Sequence, residues 1–141
     1  MSAAARAKSR HAKATASPAS WLLFLIDAGL LIASGIIHFH LWQIAYKDVP
    51  TFRYLFLIQA IGAVLAGLVL LATRHWLIVI GCLLLMAGTI AGFVIVREGT
   101  LFGFHLPYIT GLAWTVLIIE AVAIVMLGLT AARLRSRRAT R

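Results

Sequence analysis

Four long apolar runs dominate this sequence and restrict what it can fold into. The runs are residues 21–42, 54–73, 76–96 and 107–132. The first and last contain one charged side chain each, Asp27 and Glu120, and the middle two contain none. A helix rises about 1.5 Å per residue, so about 20 residues cross the roughly 30 Å hydrocarbon core of a bilayer. Because lipid offers no partners for backbone polar groups, the runs predict four transmembrane helices.

The composition and the connections agree with this prediction. Hydrophobic residues make up 62% of the chain and charged residues 12%, whereas a soluble domain is about half apolar and about a quarter charged. The turn between the second and third runs is short, which favours antiparallel neighbours. We therefore expect an all-α membrane protein with an up-down-up-down bundle of four transmembrane helices over residues 21–132. Basic tails are expected at residues 1–20, which are predicted to be disordered, and at 133–141.

Basic residues are distributed unevenly along the chain, whose net charge is +9. Four Lys or Arg precede residue 20, five follow residue 132, and Arg74 lies in the turn that shares their side. Only Lys47, Arg53 and Arg97 lie on the other side. The positive-inside rule therefore predicts cytoplasmic termini. The tails either contact anionic lipid or act only as topology signals, and they lack the interleaved aromatic residues that would favour nucleic acid.

Small residues recur at helical spacing within the runs. The second run has Gly62 and Ala66, and the third has Gly81 followed by the pair Gly88 and Gly92. Small residues four apart let helix backbones approach closely in lipid. These positions are predicted to pack helices together, either within one bundle or between copies of the chain.

Five of the polar side chains within the apolar runs are candidates for a buried site. At about 100° per residue, Ser34 and His38 each lie within about 20° of the direction of Asp27, so the three form one stripe on the first helix. Gln59 lies in the second run and Glu120 near the middle of the fourth. Such residues are expensive in a membrane and are expected to face the bundle interior. They form either a functional site or a purely structural arrangement, in which Glu120 is protonated and hydrogen-bonded or Asp27 lies close enough to the inner surface to reach water.

The histidines raise the question of a cofactor. On a continuous helix, the side chains of His38 and His40 point about 200° apart. They can therefore bind the same metal ion only if the chain is extended at this point. His105 and Glu98 belong to the same predicted outer side. Histidine and carboxylate suit zinc or copper, and two axial histidines suit haem. Candidate haem ligands are therefore His38 and His105, with His40 and Glu98 as candidate metal ligands. The alternative is histidines that meet water at the interface, with no cofactor.

The sequence lacks the motifs that identify common enzymes, including phosphate-binding glycine loops and the signatures of catalytic nucleophiles. We therefore favour a small non-enzymatic accessory or interaction subunit of a larger membrane assembly. Its partners would be the lipid bilayer and either other membrane subunits or a second copy. A second hypothesis is a redox protein that binds haem, a metal or a quinone near the outer face. A third is a proton or solute pathway through Asp27, His38 and Glu120.

The segment that reads GIIHFHLW, and VPTFRYLFLIQAIGAVLAGLVLL after it, resembles short four-helix membrane proteins of actinobacteria whose activity is not defined. The residues that carry this resemblance are His38, His40, Leu41, Tyr46, Pro50, Thr51, Leu55, Phe56 and Gln59. The helix count, the Gly35–His38 region and LVLLATR are more loosely similar to the DoxX-like proteins, some of which are linked to quinone chemistry. The resemblance implies a multi-pass protein of the bacterial plasma membrane and no defined activity.

Overall fold

Four α-helices account for most of the computed structural model, which describes residues 18–106 and 109–139. In chain order they are α1 Pro18–Leu41, α2 Phe52–Thr73, α3 Trp76–Glu98 and α4 Gly111–Ala139. All four are long and apolar enough to cross a membrane. Within the described ranges, extended pairing is limited to one bridge between Leu101 and Phe104. The prediction of an all-α four-helix bundle is confirmed.

The first helix is central to the packing. It contacts both α2 and α4 extensively, and α3 packs against α4 more than against α2. Leu31, Leu70, Met86 and Leu127, one from each helix, are fully buried in a shared core. Many other large apolar side chains are exposed on the outside of the bundle. In water such a surface would favour association, but in a membrane it faces lipid tails of the same polarity.

Close backbone approach occurs at two glycines between α1 and α2. A Cβ added at Gly35 would lie 2.7 Å from the carbonyl oxygen of Ala60. A Cβ at Gly67 would lie 3.1 Å from the carbonyl oxygen of Ala28. The absence of side chains at these positions is what lets α1 and α2 pack so closely.

The glycines that the sequence marked for packing behave differently. A Cβ at Gly62, Gly81, Gly88 or Gly92 would meet no atom within 4 Å, so these are not close contacts within the bundle. Ala66 does pack against the core. Spacing alone does not reveal which face of a helix meets its neighbour, and that explains the difference. Contact between copies at these four glycines stays a prediction.

The helix ends differ from the predicted bounds. The α-helical part of α1 ends at Leu41, and a π-helical turn, Trp42–Tyr46, continues it. The last helix begins at Gly111 instead of Pro107, which lies outside the described residues, and Thr110 caps it by accepting a hydrogen bond from the Ala113 N–H at 3.2 Å.

At its other end α4 runs on through the basic segment that was predicted as a tail, as far as Ala139. Alanine, leucine and arginine are strong helix formers, which explains the extension. Helix α1 likewise starts at Pro18, inside the predicted N-terminal tail, of which residues 1–17 lie outside the described residues.

The two ends of the bundle are named for what they contain. The loop end contains segments 42–51 and 99–110. The terminal end contains segments 18–24, 73–76 and 130–139.

Candidate functional site

A cluster of buried polar side chains joins α1 to α4 near the loop end. The Ser34 hydroxyl donates a 3.0 Å hydrogen bond to Glu120 Oε1. His38 Nδ1 donates to the Ser34 carbonyl oxygen at 2.9 Å, which leaves Nε2 facing Glu120 Oε1 at 3.8 Å. Ser34 and Glu120 are fully buried, and His38 is 5% exposed. With Nδ1 donating, Nε2 of a neutral imidazole is an acceptor.

A second buried polar pair joins the same helices closer to the terminal end. The Thr130 hydroxyl donates a 2.6 Å hydrogen bond to Asp27 Oδ2, and both residues are buried. The pairing of residue 27 with 130 and of 34 with 120 shows that α1 and α4 are antiparallel. The polar stripe predicted on α1 therefore faces α4.

An apolar layer separates the two polar groups. Leu31 lies between Asp27 and Ser34 on α1, and it is fully buried with Ala123 and Leu127 of α4. Seven residues of helix span about 10 Å. The described side chains therefore do not form a continuous polar path from Asp27 to Ser34, as a proton pathway through the bundle would require.

A cavity of about 590 Å³ extends from the loop end into the bundle, and His38 and Glu120 are among its lining residues. All four helices and the segment 101–106 line it, and most of the lining is apolar. His38, Gln59 and Glu120 contribute polar groups to the lining, and we call this part of the cavity its polar floor. Small-molecule sites in proteins usually enclose about 300–1,000 Å³ with a few placed polar groups. We call this space the loop-end cavity.

Aromatic rings form one wall of the loop-end cavity. The π-helical turn brings Tyr46 over Phe56, with stacked rings 4.0 Å apart. Phe52 and Phe104 lie 4.6 Å apart beside them, and the His38 ring is 5.5 Å from Phe56. Short π-helical insertions occur often at functional sites. Here the insertion orients an aromatic surface suited to a flat ring.

We infer that the loop-end cavity opens between α2 and α3, the adjacent helices that contact each other least. Ile58 of α2 and Leu84 of α3 both line it, and they are 66% and 69% exposed. Since these side chains lie in the middle of apolar helices, the opening faces the lipid-exposed side of the bundle. A molecule dissolved in the membrane would reach the cavity by this route.

Two polar atoms at the floor of the cavity have no hydrogen-bond partner among the described residues. They are Glu120 Oε2 and Gln59 Nε2, both buried. A buried polar group without a partner costs about 1–3 kcal/mol. Both residues line the cavity, so a bound molecule with a polar group is a candidate partner for these two atoms. This imbalance favours a ligand with hydrogen-bonding groups.

The structure does not bring the predicted metal and haem ligands together. Only His38 lines the cavity. His40 and Glu98 are exposed, and His105 is exposed with its Nδ1 donating to the Gly99 carbonyl at 2.8 Å. Over the described ranges, no three His, Cys, Asp or Glu side chains form a group able to hold a metal ion. The helix continues through His40, so the two neighbouring histidines point apart.

The aromatic wall was not predicted from the sequence. Phe52 and Phe56 are four residues apart and share one helix face, but aromatic residues near span ends are also typical of the membrane interface. The contribution of Phe104 depends on how the loop folds, with the Leu106 N–H donating to the Val96 carbonyl at 3.1 Å. No local signal in the sequence indicates that contact.

Comparison of this chain with protein-family models, with curated proteins and with solved structures gives no match. Its function is therefore inferred from the geometry of the loop-end cavity.

Proposed function

We propose that this small integral membrane protein binds a lipid-soluble molecule that carries a polar ring, and that quinones are the ligand class. The observation that carries the proposal is the loop-end cavity of about 590 Å³, apolar and aromatic in its walls and polar at its floor. The stacked Tyr46 and Phe56 would contact the ring face. Gln59 would donate to a ring carbonyl, and His38 and Glu120 would bind the second polar group.

The apolar walls and the lateral opening support a ligand that arrives from the membrane. A quinone carries hydrogen-bonding oxygens on a flat ring, and its apolar tail would leave the cavity between Ile58 and Leu84, which are exposed there. Haem has less support because one histidine lines the cavity, and His105 bonds to the Gly99 carbonyl instead.

We infer that the chain serves a larger membrane assembly as an accessory subunit of the bacterial plasma membrane, with both termini cytoplasmic. The basic terminal end supports this orientation. Gly81 does not line the loop-end cavity and leaves open space on α3, which another transmembrane helix would fill. Purification of the endogenous complex in mild detergent tests this role, and a chain that always runs alone as a monomer would contradict it.

Filling the cavity tests the ligand proposal. We expect Gly88→Leu to weaken quinone binding by about tenfold or more, since overfilling a packed site costs about 1–3 kcal/mol. Gly88 lines the cavity, and a Cβ there meets no atom within 4 Å, so the helix tolerates the change. The measurement is isothermal titration of the purified chain in detergent with a short-chain benzoquinone and a short-chain naphthoquinone.

The matched control is Gly81→Leu. This glycine is on the same helix and also faces open space, but it does not line the cavity. We expect its affinity to equal that of the wild type. The proposal is wrong if the wild-type chain binds neither quinone, or if both variants lose affinity equally while circular dichroism shows intact helices.

A further inference from the structure

A second, smaller cleft lies between α1 and α4 at the terminal end. Its volume is about 40 Å³. Its lining residues are Ser20, Leu23, Phe24, Thr130, Arg133, Leu134 and Arg137. We call it the basic cleft, and it is independent of the loop-end cavity and of the function proposed for it.

The arginines of α4 are divided between two faces of the helix. Arg133 and Arg137 are four residues apart, so they lie on one face and both line the basic cleft. The guanidinium of Arg138 lies over the Trp76 ring, 5.0 Å from its centroid, on the side of α3. Arg135 is exposed and does not line the cleft. Arg133 and Arg137 therefore place two positive charges at the basic cleft.

The exposed acidic side chains lie at the opposite end of the bundle from the basic cleft. The chain has four acidic residues. Asp27 is fully buried and accepts a hydrogen bond from Thr130, and Glu120 is fully buried deeper in the bundle. Asp48 and Glu98 are exposed at the loop end. The terminal end is thus strongly positive at its surface, which favours an anionic ligand.

The position of the cleft along the membrane normal indicates which kind of anion it can bind. It lies where the apolar run of α1 begins, beside Trp21, and where that of α4 gives way to arginines. This is the level of lipid headgroups in a bilayer. Leu23, Phe24 and Leu134 give the cleft an apolar side beside the arginines. A phosphate with an attached acyl chain matches both parts, and guanidinium groups bind phosphate oxygens in pairs.

From these features we propose that the basic cleft binds one anionic phospholipid of the adjoining leaflet. Arg133 and Arg137 contact the phosphate, and an acyl chain lies against the partly exposed Leu23 and Leu134. Basic pockets between transmembrane helices are suited to this kind of headgroup.

Native mass spectrometry of the full chain with added phosphatidylglycerol or phosphatidylcholine tests this site. We expect one phosphatidylglycerol to stay bound under conditions that remove phosphatidylcholine. The double variant Arg133→Gln/Arg137→Gln should retain about thirtyfold less phosphatidylglycerol, because the contributions of two arginines near a lipid surface multiply. The matched control, Arg135→Gln/Arg138→Gln, loses the same charge outside the cleft and should bind like the wild type.

Three outcomes would overturn the proposal. Equal retention of the two lipids by the wild type would show that headgroup charge is not recognised. Equal losses in the two double variants would show general attraction to a basic surface instead of a site. Inorganic phosphate that competes with the lipid at equal concentration would identify a site for free phosphate. Glutamine is a good helix former, and circular dichroism verifies that each variant is folded.

Discussion

Gly35→Ala is expected to lower the free energy of unfolding by about 1–3 kcal/mol, the usual cost of overpacking a tight contact. A methyl group at this position would lie 2.7 Å from the Ala60 carbonyl oxygen and 2.8 Å from Val64 Cγ2. The first of these atoms belongs to the backbone of α2, which cannot move without shifting the helix. The two helices would therefore separate, and the floor of the loop-end cavity would shift with them.

Two other glycines turn this prediction into a graded series. At Gly67 the nearest atoms are Ile32 Cγ1 at 3.0 Å and the Ala28 carbonyl oxygen at 3.1 Å, so Gly67→Ala should cost less. Gly29 has no atom within 4 Å of its added Cβ, and Gly29→Ala should be neutral or stabilising because alanine is the better helix former. Reversible unfolding in mixed micelles measures all three. Equal effects at Gly35 and Gly29 would contradict the packing observed between α1 and α2.

The fold class was predictable because the membrane itself fixes the length of a spanning helix. Runs of 20 or more apolar residues have few alternatives in lipid. The packing faces were less predictable because every side of such a helix is apolar. The spacing of Gly88 and Gly92 predicts a helix–helix contact, but in the structure both residues line the cavity. The close approaches between helix backbones occur instead at Gly35 and Gly67, between α1 and α2.

Part of the candidate site followed from helical geometry. The spacing of Asp27, Ser34 and His38 placed them on one stripe, and the structure buries all three. Thr130 was missed because threonine is common in apolar helices, and its role depends on the rotation of α4. The cavity itself depends on how far α2 and α3 separate, which is a tertiary property without a local signal.

The pair formed by Asp27 and Thr130 leads to the second large effect. Thr130→Val keeps the shape of the side chain and removes the 2.6 Å hydrogen bond to Asp27 Oδ2. The other carboxyl oxygen, Oδ1, is already buried without a partner among the described residues. The variant therefore leaves a fully buried carboxyl group with no donor, which should cost about 1–3 kcal/mol of unfolding free energy. Thr115→Val is the control, because the Thr115 hydroxyl is exposed and bonds only within its own helix.

Adding Asp27→Leu to Thr130→Val should restore most of the lost stability. Replacing both members of a buried polar pair by apolar groups is often neutral or stabilising, because no desolvated polar group remains. Asp27→Leu alone should cost less than Thr130→Val alone, since the freed threonine hydroxyl can donate to a carbonyl of its own helix. The four chains form a double-mutant cycle measured by reversible unfolding in mixed micelles. Simple additivity of the two single losses would show that Asp27 and Thr130 do not depend on each other for their burial between α1 and α4.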